Sequence, residues 1–292
     1  MERKDFVFTE PSADKLHPQD SQHIRLTYII HFYFDQANPD VLLGLLRKYA
    51  NYAPDVLDRM HFVIVDDCSP LRFEIPDLDL NMTWLRITDD ILWNQPGARN
   101  LGAVYAKSDK ILLCDLDYEF PEHTLRHMIA RRNPGKNFYQ FRHHDGKKHG
   151  RSGHGNNFLV SRARFLRLYG YDEEYAGAYG EEDYRLVNFF KYHGTWKRYL
   201  PRKYYFAYNE RINRDKSWHT LVRDGAHNAA LDCRKHSELL VWGAEAGHSR
   251  MFLNFKWEVT KRNFRDARGP ARPQRRHWKK MWWFRTLFRS YD

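Results

Sequence analysis

Cysteine is scarce in this chain. There are three in 292 residues, Cys68, Cys114 and Cys233, odd in number and widely spaced. Such a set excludes a disulfide framework or a CxxC zinc site and points to a reducing compartment. Long apolar runs are also missing: no stretch approaches the roughly 20 apolar residues a spanning helix needs. The opening MERKDFVFTEPSADKLHPQD lacks the apolar run of a signal peptide. The expected location is therefore cytoplasmic, or peripheral at the inner face of the membrane. Internal repeats and long low-complexity segments are absent as well.

What the chain has in quantity is aromatic residues, 16% including nine Trp, and positive charge, with a net +11. The charge is unevenly placed. From Lys256 to Asp292 there are twelve Lys/Arg against three Asp/Glu, so the remainder is nearly neutral. A nucleic-acid-binding reading of the whole chain loses its footing there, because the part that carries the candidate chemistry is not basic.

The segment RLTYIIHFY (Arg25 to Tyr33) reads as a buried strand. Asn38-Pro39 opens a helix in which Val41, Leu42, Leu45, Leu46 and Tyr49 recur at helical spacing. HFVIV, TWLRI and KILLC are further strands, and a helix starts near Gly97. This rhythm predicts an α/β fold with a mostly parallel central sheet flanked by helices. Ligands in such sheets bind at the carboxyl ends of the strands, and two acidic clusters, Asp66-Asp67 and Asp115-Leu116-Asp117, fall at strand ends. A third acidic cluster, Glu182-Asp183, opens a helix and precedes Leu186, Val187, Phe189 and Phe190.

Each cluster has a chemical use. Two carboxylates spaced as Asp115 and Asp117 can reach one hard divalent cation, and Mg²⁺ and Mn²⁺ take one or two carboxylates plus substrate phosphates. A carboxylate at Asp66-Asp67 can accept hydrogen bonds from a nucleobase or ribose; Asp67 or Ser69 could equally cap the turn before Pro70. A carboxylate at a helix N-terminus is held ionised and fixed, which suits a general base, although an acidic first turn is also common in ordinary helices.

Taken in order, VIVDDCSP, PGARNLGA, ILLCDLD and GYDEEYAGAYGEEDYRL resemble the family 2 glycosyltransferases, which have the GT-A fold. The resemblance runs from about Arg25 to His193, with a weaker trail to about His236. It implies a metal-dependent, inverting transfer of a sugar from a nucleotide-sugar, UDP-linked by expectation, to a hydroxyl of a glycan or lipid-linked acceptor. Asp67, with Asp66, would recognise the base. Arg99 and Asn100 would line the donor near its diphosphate. Asp115 and Asp117 would form the DxD pair holding Mn²⁺ or Mg²⁺, with Asp117 the direct ligand. Asp183 would be the general base, and Glu182 would bind the acceptor or orient the base. His219, in KSWHTLV, would complete the metal shell, with His227 and His236 as competitors.

Two departures stand out. The turn after the first strand reads HFYFDQANPD in place of a Pro-Thr/Ser-Tyr-Asn type segment, and the Asp-Gly-Ser after the second is Asp67-Cys68-Ser69. The stretch RHHDGKKHGRSGHGNN carries His143, His144, His149 and His154, whose spacing fits no zinc pattern. It reads as a mobile loop and acceptor-site lid, with Gly153 to Asn157 close to the sugars.

The organisation expected is a polar lead-in over 1–22, the GT-A domain over 23–245, and a basic, aromatic, helical extension over 246–292. In the extension, cations interleave with Trp278, Trp282, Trp283, Phe284, Leu287 and Phe288. That composition suits an interfacial membrane anchor, or a tail packed on its own domain or on a second copy. A sugar-phosphate nucleotidylyltransferase would need a glycine-rich phosphate loop, and none follows Ile30. The other reading is a catalytically degenerate GT-A domain that binds a glycan or a membrane.

Overall fold

The computed structural model describes residues 21–35, 39–144, 149–209 and 219–265. The lead-in and the aromatic part of the C-terminal extension, including any membrane role for it, lie outside the described residues. In chain order the strands are β1 (Leu26–Phe32), β2 (Met60–Asp67), β3 (Met82–Ile87), β4 (Lys110–Cys114), β5 (Tyr118–Glu119), β6 (Asn137–His144), β7 (His149–Ser161), β8 (Trp196–Tyr199), β9 (Tyr205–Tyr208) and β10 (Trp257–Asn263). The helices are α1 (Asp40–Ala50), α2 (Pro54–Leu57), α3 (Gln95–Tyr105), α4 (Glu122–Ala130), α5 (Arg162–Arg167), α6 (Glu182–Tyr192) and α7 (Ala226–Trp242).

All ten strands form one sheet in the order β10-β3-β2-β1-β4-β7-β6-β9-β5, with β8 paired to β6. The β3-β2-β1-β4 segment is parallel, and β7 and β10 run antiparallel to its two edges. The parallel strands are apolar on both faces because helices cover both. On β1, Leu26, Tyr28, Ile30 and Phe32 face one core with α1 and α4. Ile29 faces the other core, with α3, α5 and α6.

This alternation decides where the polar residues at the strand ends point, because successive side chains take opposite faces. Val63 and Val65 on β2, and Ile111 and Leu113 on β4, belong to the α3–α6 side. Continuing each strand by two residues puts Asp67 and Asp115 on that side, and His31 follows Ile29 in the same way. The register sets Ile30 beside Ile64 and Cys114, so His31 and Asp115 leave the sheet at one level, beside Val65, and Asp67 stands two residues further along its strand. Asp66 falls on the opposite face.

Two expectations are corrected. The glycine- and histidine-rich stretch enters a long antiparallel hairpin: Arg142 pairs with Gly153 and His144 with His149. Backbone hydrogen bonds to β6 hold residues 149–157 as a strand without any apolar periodicity in the sequence, so the loop reading fails there; residues 145–148 lie outside the described residues. The expected helical extension from residue 246 is also changed at its start. Residues 257–263 form an antiparallel strand on β3, with alternating half-buried and exposed side chains, and so belong to the main sheet. The three cysteines are unpaired, and no helix among the described residues is long and apolar enough to cross a membrane.

Candidate active site

The centre of the site is Arg99. Gly97 and Gly102 let the start of α3 lie close against its surroundings: a Cβ at Gly102 would collide with Ile29 of β1, and one at Gly97 with Asn94 and Phe255. The close approach carries Arg99, three residues into the helix from Pro96, into the interior with no exposed surface. Its guanidinium donates to Asp115 Oδ1, to Asp183 Oδ1 at 2.5 Å, to the Tyr171 hydroxyl and, at 3.3 Å, to the Asn156 carbonyl. Four acceptors on four separate segments thus converge on one planar donor fork.

Each acid has a second fixed partner. Asp115 Oδ2 accepts from Asn156 Nδ2 at 2.8 Å, and the Asp115 amide donates to Asn157 Oδ1 at 3.3 Å. Asp183 Oδ1 also accepts from the Tyr171 hydroxyl at 2.6 Å. Gln95, one helical turn before Arg99, donates its amide to Glu182 Oε1 at 2.9 Å and to Asp183 Oδ2 at 3.1 Å. The amide oxygen of Gln95 meets His31 Nε2 at 3.2 Å. The acids therefore stand in a connected network running from β1 through α3 to the N-terminus of α6.

Burial sets their proton affinities. It raises the Asp183 carboxyl, with the negative Asp115 adding to it, while Arg99 and the Tyr171 hydroxyl oppose the rise. Glu182 is pushed up to about 7, by burial first and by the charge of Asp183 second. His31 is lowered to about 4 by burial, with the Arg99 cation adding to the effect. The imidazole is neutral near pH 7 and serves as an orienting group for Gln95.

The second acidic cluster separates into two roles. Asp66, on the far face, accepts from the Ser69 amide at 2.8 Å and pairs with Arg86, its neighbour in register on β3. Arg86 also donates to the Ser69 carbonyl at 2.8 Å. Asp66 is thus taken up in fixing the turn after β2. Asp67 is buried with Oδ1 unpartnered, and its carboxyl is pushed up to about 8 by burial and by the neighbouring Asp66. A buried acceptor without a partner is costly unless a ligand supplies the donor.

The remaining sequence-derived candidates fall as follows. Asn100 is buried, and its side chain stitches Tyr171 and Glu173: Nδ2 donates to the Tyr171 carbonyl and to Glu173 Oε1, and Oδ1 accepts from the Tyr171 amide. Glu173 in turn accepts from the Leu253 and Asn254 amides. Asp117 is half-buried on the turn after β4, where its carbonyl accepts from the Asn209 amide at 2.8 Å. His219 packs edge-on against Trp93 with ring centres 5.1 Å apart. Among the described residues no three His, Cys, Asp or Glu side chains are grouped to hold a metal, so His219 does not join Asp115 and Asp117 in a ready-made ligand set. Two carboxylates on one turn, one of them already held by Arg99 and Asn156, fit a cation that brings the rest of its oxygen shell from phosphates and water.

The sequence does not single out Gln95, Tyr171 or His31, whereas Asn156 falls in the Gly153 to Asn157 stretch expected close to the sugars. Tyr171 lies within the quoted GYDEEYAGAYGEEDYRL, and Gln95 immediately precedes PGARNLGA. No spacing rule marks a lone amide or hydroxyl as a partner of an acid far along the chain.

Beside the acid pair of α6 lies an open cleft of about 440 Å³. Gln95, Asn156, Glu182 and Asp183 line its inner side, and Tyr179, Tyr184, Lys191 and Lys197 its outer side. The cleft needs a sharp turn at its rim. Glu181, the residue before α6, has φ 71°, and Gly180 has φ 94°, conformations that are costly for a residue with a side chain.

No protein-family model matches the chain, and no curated protein does. Solved structures do. Residues 1–349 of S. aureus TarS in complex with UDP-GlcNAc align at 14% identity with a TM-score of 0.51, over 76% of this chain and 69% of that one. GalNAc-T7 with UDP, GalNAc and Mn²⁺ aligns at 13% identity with a TM-score of 0.51, over 76% of this chain and 50% of that one. Together with the sheet order and the helices on both its faces, this likeness shows that the chain has the GT-A glycosyltransferase fold.

Proposed function

We propose that the protein transfers a sugar from a nucleotide-sugar, most simply a UDP-sugar, to a hydroxyl of a glycan or glycolipid, with inversion at the anomeric carbon. The observation that carries this reading is the bridge from Asp115 through Arg99 to Asp183 at the carboxyl edge of the parallel strands. It holds a donor-side acid and an acceptor-side acid in fixed relation, as a single displacement requires. The two aligned structures hold UDP-GlcNAc, and UDP with Mn²⁺, in line with a nucleotide donor and a divalent cation.

The geometry supports the following roles. The unpartnered oxygen of Asp67 accepts an N–H or O–H of the nucleoside. Asp117, with Asp115 beside it, would hold Mn²⁺ or Mg²⁺, which neutralises charge on a departing diphosphate. Asp183 accepts the proton of the acceptor hydroxyl as that oxygen attacks. Tyr171 and Gln95 hold one oxygen each of its carboxylate, so the acid cannot rotate away. Glu182, level with Asp183 on the Gln95 amide, accepts a second hydroxyl of the acceptor. The test is turnover of a panel of UDP-, GDP- and dTDP-sugars with Mn²⁺, beside Asp117→Ala and Asp183→Asn. Metal-dependent turnover of one donor, lost in both variants, upholds the reading. Absence of donor binding in the parent protein favours a glycan-binding GT-A domain without catalysis.

A further inference from the structure

The outer wall of the cleft has a chemical character that the transfer reaction does not itself require. From Tyr184 to Asn209 the chain contains six Lys/Arg and no Asp or Glu. Arg185 is buried against the Gly247 carbonyl, and the other five, Lys191, Lys197, Arg198, Arg202 and Lys203, are exposed. Lys191 and Lys197 line the cleft itself, and among the described residues neither forms an ion pair. Lys197 comes from β8, all four of whose residues are exposed. Aromatic faces accompany the cations: Tyr184 is 62% exposed, and Tyr179 packs on Trp93 with ring centres 4.8 Å apart.

We propose that the acceptor is an anionic carbohydrate chain, bound with its sugar rings on Tyr179 and Tyr184 and a negatively charged substituent at Lys191 and Lys197. This rests on the glycosyl-transfer reading and names the substrate class of that site. Aromatic faces suit the apolar faces of sugar rings. Lysine ammonium groups recognise phosphate or carboxylate as point charges, and Lys191 and Lys197 set positive charge on one side of the cleft, apart from Glu181, Glu182 and Asp183 at the N-terminus of α6. Charge also fixes the direction of the chain. Glu182 and Asp183 at the inner end repel an anion, so the reacting sugar presents a neutral hydroxyl there and the charged group lies outward. A neutral glycan gains nothing from the lysines.

The test is direct binding of the full chain to three polymers, followed by calorimetry: polygalacturonate for carboxylate, a glycerol phosphate polymer for phosphodiester, and dextran as the neutral probe. One of the anionic polymers is expected to bind about tenfold or more tighter than dextran, and Lys191→Glu with Lys197→Glu to remove about that factor. Raising the salt from about 0.1 M to about 1 M, which shortens the screening length from about 10 Å to about 3 Å, weakens the complex as well. A control pair on other surfaces, Arg47→Glu with Lys256→Glu, leaves binding intact, and circular dichroism verifies that both pairs fold. Which anionic polymer binds identifies the anion as carboxylate or phosphate. The proposal is overturned if dextran binds as tightly, if the reversed pair binds like the parent, or if neither anionic polymer binds. Donor turnover by the parent protein is scored separately. Its presence without anion preference removes this proposal alone, and its absence alongside anion binding removes the transfer reading while the anion site stands.

Discussion

Asp115 and Asp183 accept hydrogen bonds from different nitrogens of one guanidinium, that of Arg99, although one follows β4 and the other opens α6. A buried cation with two carboxylates is a costly arrangement for stability alone, since desolvating the charges offsets much of their attraction. What it provides is position. The fork is planar, so it fixes the two acids relative to one another as well as neutralising them.

Removing the fork therefore leaves two acids without their counter-charge. Arg99→Ala is expected to lower stability by about 3–5 kcal/mol, the usual effect of breaking a buried pair. Urea unfolding at neutral pH measures it. Arg99→Lys keeps the charge without the planar geometry and is expected to fall between the parent and Arg99→Ala. A parent-like Arg99→Ala would mean that the acids are already protonated or solvated.

Asp183→Asn retains the size of the side chain and removes the basic oxygen. Transfer is expected to fall by about 10²–10⁴-fold, the usual share of general acid–base catalysis. Donor affinity, measured by titration with the nucleotide, is expected to persist. Loss of both together would place Asp183 in donor binding.

Burial raises Asp67 to about 8 and Glu182 to about 7. A carboxyl whose affinity for protons is higher in the folded state adds stability at low pH, and that contribution is lost as pH rises through the folded value. These two groups thus make the protein less stable at pH 8 than at pH 5. Asp67→Asn is expected to exceed the parent by at least about 1 kcal/mol at pH 8, since one pKa unit corresponds to about 1.4 kcal/mol, and to bind nucleotide more weakly. Denaturant unfolding at both pH values, with a nucleotide titration, tests the pair of effects. Unaltered nucleotide affinity would remove Asp67 from the base site.

Gly170 has φ 64°, and a Cβ there would collide with Asn100 Oδ1 and the Phe165 ring. Gly170→Ala combines an unfavourable backbone with overpacking, for an expected cost of about 1–3 kcal/mol. Because Tyr171 follows directly, transfer by the folded fraction is also expected to fall. Thermal unfolding and activity at low temperature separate the two effects. A variant with normal stability would mean that the Asn100 side chain swings aside freely.

The sheet was legible because its strands are apolar on both faces. Met60–Asp67 and Lys110–Cys114 are buried throughout, and such runs stand out from any helix pattern. The acids at their ends were legible for the same reason, since a strand that stops at Asp115 places it at the carboxyl edge. The first half of β7 was not legible, because its ladder is made by backbone groups that every residue carries, so GHGNN reads as a loop; its apolar second half, NNFLV, does read as a short strand. β10 was hidden by the basic composition of the segment around it.

What the sequence by itself determined is the kind of chemistry available and the edge of the sheet on which it gathers. Parity along β1, β2 and β4 already separates Asp67 and Asp115 from Asp66 once the face of each strand is known. Only the tertiary structure decided the partners: that Arg99 is buried between Asp115 and Asp183, that Gln95 ties the acids of α6 to His31, and that Asn100 is taken up by Tyr171 and Glu173. The physical reason is range. Periodicity and strand ends are properties of neighbouring residues, whereas a hydrogen bond between distant segments depends on how α3 and α6 pack, to within a few tenths of an ångström.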